Sequence, residues 1–169
     1  MHIFQKTGAT IGNLERIATI ARWMKYGKKD SLIIMGNTGT GKTTLALALA
    51  NAIAVRNSSP YCYSMTKLER TLSADSTWFD EVVNENRYIV LDDVGTESRE
   101  ISIYGNRIML FNELVFARYD NRLPMIITTN LTTALLKERY GEKVVSRLNE
   151  MCDTLLMVGD DLRYDTDNH

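Results

Sequence analysis

The octapeptide Gly36-Asn37-Thr38-Gly39-Thr40-Gly41-Lys42-Thr43 satisfies the pattern G-x-x-x-x-G-K-[ST] at every required position. No other stretch limits the fold so strongly, because the pattern works only between a strand and a helix. Glycines let the backbone turn its N–H groups inward and come close to an anion, where a Cβ would obstruct it. Lys42 can set its ammonium against outer phosphate oxygens. The Thr43 hydroxyl can ligate Mg²⁺ at the first turn of a helix whose positive dipole end faces the anion. Residues Gly36 to Thr43, with Thr44 beside them, are therefore expected to hold a nucleoside triphosphate.

A chance match would occur in about one chain in a hundred of this length at ordinary glycine usage. The flanks make chance a poorer explanation still. Ser31-Leu32-Ile33-Ile34-Met35 is an apolar run suited to a buried parallel strand, and Thr44 to Val55 (TLALALANAIAV) is an Ala- and Leu-rich helix with little polar face.

At 169 residues the chain is read as one domain able to bury a sizeable core, with residues 1–30 a linker and helix, 31–163 the core and 164–169 a tail. Hydrophobic residues at 44% and charged residues at 24% exclude a disordered chain. No apolar stretch is long enough for a membrane span and no signal-peptide core opens the chain, so a cytoplasmic protein with no membrane contact is expected. Net charge is −1, so nucleic-acid binding would need a local patch or an assembly that pools patches. Cys62 and Cys152 lack metal-ligand spacing and read as two buried thiols.

The second strong signal is Arg87-Tyr88-Ile89-Val90-Leu91-Asp92-Asp93-Val94-Gly95, a hydrophobic strand ending in paired acids. Asp92 would join Thr43 in holding Mg²⁺, since a hard cation prefers carboxylate and water oxygens. Asp93 sits where a base can orient an attacking water, and Glu97 is a second candidate, for polarising water or for regulating the base. Met125-Ile126-Ile127-Thr128-Thr129-Asn130 is another buried strand, and its terminal Asn130 can bond a γ-phosphate and the lytic water.

The remaining pattern is one of alternation. Helices are expected over Asn13 to Tyr26, with Asn13 as cap, over Tyr104 to Asp120, over Leu131 to Tyr140 and over Val144 to Glu150; strands over Tyr61 to Met65 and Asp153 to Val158. The loop around Thr10-Ile11-Gly12 could sandwich an adenine or merely pack. Thr66 to Asn84 is a weaker helical region in which Lys67, Arg70, Trp78 and Phe79 could stack on single-stranded nucleic acid or serve as an ordinary amphipathic face. Strands alternating with helices imply an α/β doubly wound sheet of about five parallel strands.

Taken together, GNTGTGKT, YIVLDDVG with the following TES, IITTN, ERYGEKVVSRLNEM and the closing GDDLR resemble the bacterial DnaC/DnaI-type helicase loaders and the IstB-type transposition helper ATPases, within the AAA+ class. The resemblance runs from Ser31 to Arg163. It implies a three-layer P-loop NTPase fold with little or no C-terminal lid, ATP and Mg²⁺ as ligands, and slow ATP hydrolysis by the isolated domain. By that likeness Gly36 to Thr43 is the Walker A loop, Asp92 and Asp93 are the Walker B pair, and Asn130 is sensor 1. Arg147 matches an arginine finger acting on a neighbouring subunit, and Arg163 matches the sensor 2 arginine. The catalytic set so implied is Lys42, Asp93, Asn130, Arg147 and Arg163.

The same resemblance implies self-association through nucleotide-bridged interfaces, with a replicative helicase, a transposase or single-stranded DNA as partner. A DNA-replication accessory ATPase is the leading expectation. A transposition helper and a non-catalytic ATP switch are the alternatives. Two departures stand out: Asp93 occupies a position where many AAA+ proteins carry Glu, and only about thirty residues precede the first strand, as in a core cut from a longer protein or in a compact version.

Overall fold

The computed structural model describes residue 18, residues 21–55 and residues 59–157. The expectations placed on Thr10, Ile11, Gly12, Asn13 and Arg163 lie outside the described residues.

Strand β1 (Ser31–Gly36) is followed by helix α1 (Lys42–Ala54), then β2 (Tyr61–Ser64), α2 (Met65–Ala74), a short 3₁₀ turn at Ser76–Trp78, and α3 (Phe79–Asn84). Next come β3 (Ile89–Val94), β4 (Ile101–Ile103), β5 (Asn106–Ile108), α4 (Leu110–Asp120) and β6 (Met125–Thr129). Helices α5 (Thr133–Tyr140) and α6 (Glu142–Met151) and strand β7 (Cys152–Met157) complete the series. Five strands form one sheet in the order β2-β3-β6-β1-β7, every neighbouring pair parallel.

Both faces of this sheet are covered, which is why β1 reads as an unbroken apolar run rather than an alternating one. Leu32 and Ile34 join Val90, Ile126, Leu45 and Leu49 in a core under α1, and Trp23 and Met24 of the helical segment 21–26 pack against it. Ile33 and Met35 face the other way, into a larger core with Leu91, Ile127, Phe111, Leu114 and Leu148. The result is the expected three-layer α/β fold.

Strand β3 breaks its own alternation. Ile89 and Leu91 enter the larger core, but so does Val94, three residues beyond Leu91 rather than two or four. The pairing with β6 records the same shift: Leu91 lies opposite Ile127 and Val94 opposite Thr129, so Asp92 and Asp93 share one partner position, Thr128. This is a β-bulge, placed where two acids meet. Asp93 accordingly takes a left-handed backbone with φ 57.

The helix expected from Tyr104 begins instead at Leu110. Residues 101–108 form an antiparallel hairpin whose turn residues, Tyr104 and Gly105, have φ 50 and 81. A Gly able to take positive φ, flanked by β-branched Ile101, Ile103 and Ile108, favoured a tight turn over a helical start. The helix that follows buries Phe111, Leu114 and Val115 as expected, and also Arg118, which is fully buried. Its guanidinium donates to the carbonyls of Glu85 (2.8 Å), Arg87 (2.6 Å) and Pro124 (2.6 Å), tying together the segments that lead into β3 and β6. Burial lowers its pKa to about 10.

Only one of the two cysteines is the buried thiol expected. Cys152 is buried, its pKa pushed up to about 12 by desolvation, whereas Cys62 is exposed because β2 is the edge of the sheet. No helix among the described residues is long and apolar enough to cross a membrane.

At the tip of β1, Gly36 has φ 152, and a Cβ there would lie 2.1 Å from the Met157 carbonyl oxygen of β7. The contact is with backbone, so no rotamer change relieves it. Gly36→Ala is expected to cost about 2–4 kcal/mol of stability, lowering the thermal midpoint by roughly 5–15 °C, as a calorimetric scan would show.

Candidate functional site

The carboxyl ends of β1, β6 and β3 finish together and enclose a cavity of about 380 Å³. Thr38, Gly39, Gly41, Lys42, Thr43 and Thr44 line it from the loop and α1, Asp93 and Thr96 from the end of β3, and Asn130 from just past β6. Ligands of open α/β sheets bind at this edge, beyond the strand ends. A larger cavity of about 610 Å³ lies at the opposite edge, between Lys29, Arg118, Pro124 and Glu150. Its buried cation is committed already: Arg118 donates to three carbonyls, while Lys29 donates to those of Asn149 and Cys152.

The loop is built to leave donors open. Gly41 caps α1 in the left-handed conformation, φ 83, with no side-chain cap and no acid in the first turn. The N–H groups of that turn, together with the helix dipole, make an anion site. Lys42 is buried; its Nζ donates to the Asn37 carbonyl at 2.7 Å, and the Thr40 hydroxyl donates to the same oxygen at 2.9 Å. Gly36, Asn37 and Thr40 thus shape the loop rather than line the cavity.

The Thr43 hydroxyl, on the cavity lining, donates to Asp92 Oδ1 at 2.9 Å. Strand β6 lies between β1 and β3, so Asp92 meets Thr43 across an intervening strand. These two hard oxygen donors match what Mg²⁺ takes from a protein when phosphates and water supply the rest. Among the described residues no group of three or more His, Cys, Asp or Glu could hold a metal ion, so no all-protein cage competes. Burial, then the adjacent Asp92 charge, push the Asp93 carboxyl above the usual range, with Lys42 pulling it back. A partly shielded carboxylate facing the cavity can accept a proton or hold a water.

Two expected residues lie elsewhere. Arg147 does not line the cavity: its guanidinium sits 4.3 Å from the Phe116 ring centre, 5.0 Å from that of Tyr119 and 3.8 Å from Asp120 Oδ1. Glu97 turns away from the cavity, which removes it as a second water-polarising acid. Its carboxylate accepts from the Gly95 N–H (2.9 Å) and the Tyr140 hydroxyl (2.5 Å), and its carbonyl accepts from Arg139. Glu97 is a buried tether between the β3 loop and the end of α5. In the Thr66 to Asn84 region, Trp78 is exposed, Phe79 packs against the core, and Asp75 and Asp80 stand nearby.

Sequence reading passed over Thr96 and Thr128. Thr96 takes the Asp93 carbonyl through its N–H (3.2 Å) and its hydroxyl (2.8 Å). Thr128, fully buried, donates to Asp92 Oδ1 at 2.6 Å and accepts the Asp93 N–H at 2.9 Å. A hydroxyl inside an otherwise apolar buried strand was the available signal.

Sheet order, loop and cavity define a P-loop α/β domain of the AAA+ class. A family model described as IstB-like ATP binding protein matches residues 4–168, and the chain belongs to that family. Among solved structures it is similar to the DnaC helicase loader, at 27% identity over 89% of this chain and 92% of that one, with a TM-score of 0.70. It shares its fold with DnaI, at 22% identity over 92% and 90% of the two chains and a TM-score of 0.69. It also shares it with AMPPCP-bound DnaA from Aquifex aeolicus, at 18% identity over 90% of this chain and 48% of that one, with a TM-score of 0.64. No curated protein matches at a significant level.

Removing the Tyr140 hydroxyl takes the donor from Oε1 of the buried Glu97 carboxylate and leaves the Gly95 N–H on Oε2. Tyr140→Phe is expected to cost about 1–3 kcal/mol, read as a lower midpoint in urea unfolding. Asp93 carries the opposite sign. Its folded pKa is raised, so its ionisation costs stability as pH rises through that range. Asp93→Asn should therefore raise the thermal midpoint by roughly 1–3 °C at neutral pH, with the gain fading as pH falls below the ordinary carboxylate range.

Proposed function

We propose that this chain binds ATP with Mg²⁺ at the β1 loop and hydrolyses it to ADP and phosphate. The observation that carries the reading is the convergence of Lys42, the Thr43–Asp92 pair and Asp93 on a single cavity at the strand ends. In this reading the α1 N-terminus and loop N–H groups cradle the phosphates, and Lys42 exchanges the Asn37 carbonyl for an outer phosphate oxygen. Thr43 and Asp92 would hold Mg²⁺, which would supply neutralisation of phosphate charge. Asp93 orients a water for in-line attack and Asn130 bonds it from the far side. Asp is one methylene shorter than Glu, so the water must sit closer to the backbone and turnover should be slow.

Arg147 points at no group of its own cavity, which agrees with a role on a neighbour's site. An arginine supplied in trans neutralises charge on the transferring phosphoryl group and makes hydrolysis depend on assembly. Arg163 is proposed to sense the nucleotide in the same chain. The wider role that the loader-like motifs favour is in DNA replication, through ATP-controlled self-association and contact with a replicative helicase or single-stranded DNA. The IstB-like family match favours a second reading, a transposition helper acting with a transposase. Pull-down against each partner separates the two.

The test is ATPase activity against protein concentration, with and without single-stranded DNA. Lys42→Ala should weaken ATP binding at least a hundredfold. Arg147→Ala should cut turnover about a hundredfold or more while leaving ATP bound, and mixing it with Asp93→Asn protein should restore part of the rate. ATP binding unaffected by Lys42→Ala would overturn the site, and turnover independent of concentration and of Arg147 would overturn the trans role.

A further inference from the structure

Two consecutive strand residues normally point to opposite faces of a sheet. Asp92 and Asp93 nevertheless serve one site, because β3 bulges between Leu91 and Val94 and sets both opposite a single residue of β6. The bulge has a physical cost. It takes the Asp93 N–H out of the regular ladder in a buried part of the sheet, where an unpaired donor is strongly unfavourable. It also puts Asp93 in the left-handed region, φ 57, which a non-glycine residue keeps only when its surroundings enforce it.

The residue opposite the bulge is Thr128. Its hydroxyl has one proton and free lone pairs, and both are in use: the proton goes to Asp92 Oδ1 at 2.6 Å, and a lone pair takes the Asp93 N–H at 2.9 Å. The orientation of that hydroxyl is therefore set by the two acids together. Asp92 Oδ1 accepts one other hydroxyl, that of Thr43. Were Thr43 to turn its oxygen to a cation, Thr128 would be the hydroxyl still holding Asp92.

We infer that Thr128 is the positioning residue of this site: one buried hydroxyl fixes Asp92 beside Thr43 and holds the backbone of Asp93 in the bulged conformation that brings its carboxylate to the cavity. The inference deepens the ATP–Mg²⁺ reading and rests on it for its functional half. Valine has the shape of threonine and neither the donor nor the acceptor, so Thr128→Val isolates the hydroxyl. Serine keeps both and loses only a methyl group, so Thr128→Ser controls for packing.

The experiment has two arms. In the nucleotide-free protein, amide hydrogen exchange at Asp93 is measured by NMR for wild type and both variants. Exchange at least tenfold faster in Thr128→Val, and wild-type-like in Thr128→Ser, is expected. In the second arm a fluorescent ATP analogue is titrated with EDTA and with Mg²⁺. Thr128→Val should bind within twofold of wild type in EDTA but lose at least tenfold of the Mg²⁺-dependent gain in affinity, and Thr128→Ser should keep that gain within threefold. Unchanged exchange and an unchanged Mg²⁺ gain in Thr128→Val would overturn the inference, as would a Thr128→Ser protein as impaired as Thr128→Val. Wild-type protein with no Mg²⁺-dependent gain would overturn the ATP–Mg²⁺ reading and the functional half built on it, while the exchange arm still decides whether the hydroxyl holds the bulge.

Discussion

In the parallel registers, Met35 of β1 pairs with Thr129 of β6, and Thr129 pairs in turn with Val94 of β3. That single row decides where everything else can be. It makes the three central strands end at the same level, so the loop after β1, the acids of β3 and the residue after β6 open onto one edge. A one-residue slip in either pairing would send the acids to the wrong face. The apolar residues on both sides of the sheet, Leu32 and Ile34 toward α1 and Ile33 and Met35 toward the other helices, are what hold the row in place.

The polar groups of the site depend on that scaffold and also work against it. Paired carboxylates, a left-handed aspartate and a lysine folded back onto a loop carbonyl are each unfavourable in a well-packed α/β sheet. They persist because each is answered locally: the Asp93 peptide by Thr128 and Thr96, Asp92 by two hydroxyls, and Lys42 by the Asn37 carbonyl. The loop past β3 is anchored further off, through the buried Glu97 carboxylate and the Tyr140 hydroxyl. Residues 140 and 141 lead directly into α6, which carries Arg147, so the cavity's rim and that helix share one buried contact.

Arg118 and Arg147 show how differently one residue type can behave in neighbouring helices. Arg118 is enclosed and gives its protons to carbonyls before two strands, where it organises the lower edge of the sheet. Arg147 lies on aromatic rings, weakly paired with Asp120 at 3.8 Å, an arrangement from which it can be drawn without leaving a buried charge behind. Only the second has the freedom that reaching a neighbouring molecule would require.

Much of this could be read directly along the chain. The octapeptide, the apolar strand before it and the Ala-rich helix after it are local patterns, and local patterns dictate local geometry; the same holds for the acids closing β3 and the Asn closing the strand of Thr128 and Thr129. Alternating strands and helices were enough for a parallel sheet with two covered faces. Tertiary structure decided what depends on partners far away in sequence. Tyr104 to Met109 left the helical pattern for a hairpin because its turn could take positive φ, Glu97 turned inward because Tyr140 was there to meet it, and Cys62 stayed exposed because its strand became an edge. The bulge is the clearest instance. Nothing in Asp92-Asp93 alone says that one will hold Thr43 while the other lines the cavity beside it, since that outcome needs a hydroxyl thirty-five residues later, brought opposite them only by the pairing of β3 with β6.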